Sequence, residues 1–87
     1  MIKINVVAYT DSGMQKTRVG QKTYEASAVP TKGDEVILGD AESRTDGPFA
    51  TVYKVQHWLG IDSIDVHVTL NKEEDSSFLT EDYGWGE

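Results

Sequence analysis

Cysteine is absent from this chain, and histidine and proline occur only twice each. Without thiols there is no disulfide framework and no thiolate metal site. Small secreted domains often use such staples to supplement a thin core. No apolar run reaches the length of a membrane-spanning helix. The opening Met1-Ile2-Lys3-Ile4-Asn5-Val6-Val7 turns polar by Thr10, too soon for a signal-peptide core. The expectation is a cytoplasmic protein with no membrane association. Apolar residues at helical spacing are missing too, so no long amphipathic helix is predicted, and there is no internal repeat. Gly33 stands apart from other glycines, which leaves no phosphate-cradling loop.

The 87 residues are enough for one domain. At 9.6 kDa the chain buries about 63% of its unfolded surface. That core is too thin to enclose a deep active site. Apolar residues make up 38% of the sequence, and Val, Ile, Tyr and Phe are clustered, which argues against disorder throughout. The net charge of −7 is unevenly spread. Residues 1–71 carry seven Lys/Arg against nine Asp/Glu, a balance of −2. Residues 72–87 set Lys72 against Glu73, Glu74, Asp75, Glu81, Asp82 and Glu87, a balance of −5. The chain therefore divides into a domain over 1–71 and an acidic tail over 72–87. Acidity disfavours direct binding to nucleic-acid phosphates.

Within the domain the patterns are those of strands. Ile2, Ile4, Val6 and Ala8 alternate with Lys3, Asn5, Val7 and Tyr9, which predicts a strand over about 2–9. Thr10-Asp11-Ser12-Gly13 is turn chemistry. Residues 14–22 read as a frayed edge strand or a long loop and hold the one basic stretch, Lys16, Arg18 and Lys22. A second strand is expected over 23–29, with Tyr24, Ala26 and Ala28 on one face, stopped by Pro30. Lys32-Gly33-Asp34 supplies a turn before a short strand at Val36-Ile37-Leu38. The polar stretch 40–48 has room for a single helical turn.

The last two strands pair most distinctly. A four-residue loop over 60–63 sets Leu59 opposite Ile64, His57 opposite Val66, Val55 opposite Val68 and Tyr53 opposite Leu70. All these pairs but one are apolar on both sides. The other face pairs Trp58 with Asp65, Gln56 with His67, and Lys54 with Thr69. On this register Tyr53, Val55, His57 and Leu59 point inward and Trp58 outward.

Five short strands with short turns predict an all-β domain: a small antiparallel five-stranded barrel or a strongly bent sheet. Val29-Pro30-x-x-Gly33-Asp34-Glu35-Val36-x-Leu38, followed by Tyr53-x-Val55-x-x-Trp58, resembles the small SH3-like barrels common in short bacterial and phage proteins. The resemblance runs from Val29 to Trp58. It implies an interaction or assembly module and brings no catalytic residue with it.

Candidate chemistry is sparse. His57 and His67 with Asp62 and Asp65 contain ligand types for a metal, but the register sends the two histidines to opposite faces, and a metal needs three or four converging ligands. Ser63, His57 and Asp62 contain the residue types of a triad without a nucleophile elbow or oxyanion donors. Asp34-Glu35 and Glu73-Glu74-Asp75 lack the alternation of a calcium loop. No cofactor and no enzymatic activity are expected. The candidate partner-binding residues are Trp58 with its outer-face neighbours Lys54 and His67, and Phe78, Tyr83 and Trp85, aromatic anchors set in the acidic tail. Such a tail is either a disordered, solubilising terminus or a segment that docks: on its own barrel, with Lys16, Arg18 and Lys22 as the acceptor, on a second copy to give a homo-oligomer, or on a basic groove of a partner. The leading expectation is a non-enzymatic protein-interaction or assembly module, of the kind found among bacterial and phage accessory proteins. The alternative is an acidic inhibitor that mimics nucleic acid and occupies the basic channel of a nucleic-acid-binding protein.

Overall fold

In the computed structural model, residues 2–12, 15–38 and 48–72 are described. They form five strands and no helix: β1 (Ile2–Ser12), β2 (Gln15–Ala26), β3 (Glu35–Ile37), β4 (Phe49–Trp58) and β5 (Ser63–Leu70). The strands make one sheet in the order β2-β1-β5-β4-β3, curled into a half-barrel. The tail beyond Lys72 and residues 39–47 of the polar loop lie outside the described residues.

Period-two alternation places the core on the concave face. Ile4, Val6 and Ala8 of β1 meet Val66, Val68 and Leu70 of β5, then Ala50 and Val52 of β4 and Leu38 beyond β3. Val52, Val66 and Val68 are the largest side chains removed from water completely, each worth roughly 1.5–3 kcal/mol of transfer free energy. Tyr24, Ala26, Val29 and Val36 close over this core from the two sheet edges. The Tyr24 hydroxyl donates to the carbonyl of Leu38 at 2.9 Å, so curling brings the β2 edge across to the end of β3.

Three features differ from the sequence expectation. First, the ambiguous 14–22 stretch and the strand after it are one element. β2 pairs with β1 along its whole length, with one irregularity beside Ala8/Tyr9, and it ends at Ala26. Second, β1 and β5 run parallel, from Asn5 opposite Asp65 to Tyr9 opposite Thr69, so the bent sheet is mixed. Third, the β4–β5 register differs. His57 faces Ile64, Val55 faces Val66 and Trp58 faces Ser63. A bulge between Val52 and Lys54 then sets Val52 opposite Val68 and Ala50 opposite Leu70. The extra residue, Tyr53, moves β4 by one position and exchanges its faces. Ala50 and Val52 therefore fill the core where Tyr53 was expected.

The turn before β3 follows the sequence. The Asp34 N–H bonds to the Thr31 carbonyl at 3.0 Å, with Gly33 at φ 97°. A type II turn requires this positive φ at its third residue. The Asp34 carboxylate accepts from the Thr31 N–H at 2.9 Å and from its hydroxyl at 3.1 Å. The Gly33 N–H and the Asp34 carbonyl then bond Val52, fastening the turn to β4.

Candidate functional site: the outer face and tip of the β4–β5 hairpin

The bulge that turns Val52 inward also builds the convex face. Lys54 stands opposite His67 in the register, and Tyr53 crowds against the same imidazole, with ring centroids 6.1 Å apart. Tyr9 joins from β1, edge-on to Tyr53 at 5.7 Å and tilted against His67 at 5.8 Å. The Lys16 ammonium caps the Tyr53 ring at 5.0 Å and pairs with Asp11 at 3.5 Å.

Polar side chains link all four long strands. His67 Nε2 meets Gln56 Oε1 at 2.8 Å and its Nδ1 meets the Tyr9 hydroxyl at 3.2 Å. With Gln56 presenting its carbonyl oxygen, Nε2 donates, and the Tyr9 hydroxyl, which can donate or accept, holds Nδ1. Burial pushes His67 below the ordinary histidine value, Asp65 pulls it up and Lys54 pushes it down. Burial, followed by the neighbouring Tyr9, raises the Tyr53 phenol. Asn5 donates to Asp65 at 3.3 Å and to Gln21 at 3.4 Å, and Arg18 donates to the same Gln21 oxygen at 2.8 Å. Val7, flanked in register by Gln21 and His67, is buried on this face. The network of polar and aromatic groups ties β2, β1, β5 and β4 together on the face on which Trp58 stands.

Trp58 points outward, as its register position predicted. Its indole N–H donates to Asp65 Oδ2 at 2.9 Å, which fixes the ring while leaving it 49% exposed. The chain then turns through residues 59–62. The Ile61 N–H bonds to the Trp58 carbonyl at 3.2 Å, and Asp62 takes the left-handed conformation at φ 52°, which Asp tolerates better than most residues. The loop therefore starts one residue earlier than expected. Leu59, expected in the core, is 90% exposed, and Ile61 beside it is 73% exposed. His57, also expected inside, is exposed. It lies on the concave side of β4 but beyond the end of the packed core, where its register partner Ile64 is only partly buried.

Of the six residues singled out from the sequence, Trp58, Lys54 and His67 share the convex face. Phe78, Tyr83 and Trp85 lie outside the described residues. His57 and His67 point to opposite faces, as do His57 and Ser63, so neither pair converges. Leu59, expected in the core, and Ile61, expected in the loop but not as a contact residue, are both exposed. Their signal was a pair of large aliphatic residues flanking Gly60 in a hairpin turn, where polar residues are the rule. The convex face mixes Lys16, Arg18 and Lys54 with Asp11 and Asp65, so charges of both signs lie side by side.

No protein-family model, curated protein or solved structure matches this chain.

Proposed function

We propose that this protein is a non-enzymatic protein-interaction module, and that the tip of its β4–β5 hairpin inserts into an apolar recess of a partner protein. One observation carries the reading: Trp58, Leu59 and Ile61, three large apolar side chains within four residues of the chain, are exposed to water at the end of a hairpin. Contiguous exposed apolar groups of this kind mark contact sites, and Trp is enriched among the residues that dominate interface energies. Fully burying Leu59 or Ile61 in a partner returns about 2 kcal/mol each before the costs of association. The indole is held by Asp65, so less side-chain freedom is lost on docking. Lys54 and His67, on the flank of the hairpin, belong to the polar rim of the contact. The likeness of the 29–58 stretch to small SH3-like barrels supports the same class, an accessory or assembly protein.

The test is photo-cross-linking from position 61. A photoreactive residue is placed there in the full chain, and a control sits at Lys3 on β1. Discrete adducts from position 61, absent from the control and lost with Leu59→Ser, support the reading when the melting curve of Leu59→Ser matches that of the parent. Equal adducts from both positions, or adducts unaffected by Leu59→Ser, overturn it.

A further inference from the structure

β4 is flanked on both sides only over its first half. On the side away from β5 it pairs with β3 from Phe49 to Thr51, and Gly33 and Asp34 take up the N–H and carbonyl of Val52. Among the described residues the pairing on that side stops there. The type II turn leads the preceding residues away from β4, and Pro30 has no N–H to offer a ladder. The result is an open groove of about 530 Å³ between residues 29–32 and the second half of β4, lined by Val29, Pro30, Lys32, Lys54, Val55 and His57. It occupies the place in the sheet that a longer β3 would fill. An edge of this kind is a template for one more strand.

We propose that this groove takes the chain's own C-terminal segment, residues 73–87, laid along β4 as an added strand. Charge complementarity is the first argument. Among the described residues the groove is lined by two lysines and no carboxylate, and residues 73–87 hold six carboxylates and no Lys or Arg. Lys32 and Lys54 make no hydrogen bond or ion pair among the described residues. The basic stretch on β2, in contrast, is already engaged: Lys16 with Asp11 and Tyr53, Arg18 with Gln21, Lys22 over Tyr24. Reach is the second argument. Asn71 is fastened to the Phe49 carbonyl and to Glu35, so the chain leaves the sheet beside β3 and the start of β4. From there to His57 is about 25 Å along the strand. The fifteen residues that follow Lys72 span up to about 50 Å when extended, enough to cross β3 and run beside Tyr53, Lys54 and Val55. The third argument is the apolar wall of Val29, Pro30 and Val55, which gives Phe78 and Leu79 a surface to cover.

The absence of cysteine allows a direct test on the full chain. A nitroxide attached through Ser77→Cys is the only label. Amide signals of Lys32, Tyr53, Val55 and His57 are expected to broaden at every dilution, with those of β2 keeping full intensity. The broadening is expected to vanish in Lys32→Glu/Lys54→Glu. Broadening centred on Lys16 and Arg18, or no localised broadening, overturns the proposal. Broadening that arises only when spin-labelled and isotope-labelled chains are mixed also overturns it, because the segment then crosses to a second copy. Broadening that persists in the charge-reversed chain removes the electrostatic basis. The hairpin tip is tested separately by its cross-link in a chain that keeps Lys54, so the two readings fail independently.

Discussion

The two ends of the β4–β5 hairpin have similar side chains and opposite fates. At its base, Ala50, Val52, Val68 and Leu70 are shielded from water. At its tip, Leu59 is almost fully exposed and Ile61 largely so. The difference is one of neighbours. At the base β3 covers one flank of the hairpin and β1 the other, and the concave face closes over it. β3 is three residues long and pairs no further than Thr51, and the parallel pairing with β1 begins at Asp65. The hairpin therefore extends past both neighbours. An aliphatic residue is buried only where another element arrives to bury it, and the pattern of a single strand does not contain that information.

Substitutions at matched leucines give the sharpest contrast. Leu70→Ala is expected to cost about 3 kcal/mol in urea denaturation, through lost transfer free energy and an unfilled cavity. A cost below about 1 kcal/mol would mean that the base of the hairpin is not core. Next in size is Gly33→Ala, which strains the turn that clasps Val52. An added Cβ meets nothing within 4 Å, so the expected loss of about 1–2 kcal/mol is purely conformational. A neutral outcome would exclude the positive φ.

The bulge region supplies a smaller, pH-dependent effect. Burial holds folded His67 below the ordinary value of 6.5, so in the window beneath 6.5 the unfolded chain binds more protons than the folded one. Stability contributed by the neutral imidazole is present above that window. It falls as pH drops through it, and levels off below the folded value. The melting temperature of the parent chain should therefore fall more steeply on acidification than that of His67→Gln. Parallel slopes would show that His67 is not desolvated. The smallest effect is expected at the tip, where Leu59→Ala should stay within about 0.5 kcal/mol of the parent. A loss comparable to that of Leu70→Ala would erase the distinction between the two ends.

Much of the architecture was legible because it rests on local chemistry. Alternation marked β1, β4 and β5, and Lys32-Gly33-Asp34 marked the turn. The outward direction of Trp58 survived a shift of two residues in register, since a shift of two preserves faces. The bulge was the main loss. Its trace is present: Ala50 and Val52 are spaced for one face, and Val55 comes three residues after Val52, out of phase with both. Two phases of alternation in one strand call for an extra residue between them. The simple alternation puts Tyr53 in the core instead. His57 and Leu59 differ from expectation for another reason: the packed core stops short of the hairpin tip.

The sequence by itself therefore determined that the chain builds strands, where its tightest turn lies, and which residues are apolar enough to form a core. Only the tertiary structure decided which of them do. The parallel contact of the first and last strands, the short reach of β3 and the bulge at Tyr53 are long-range outcomes, set when non-adjacent strands pack and curl together. They bury Val52 and Leu70, and they leave Trp58, Leu59 and Ile61 in water because the sheet ends before it reaches them.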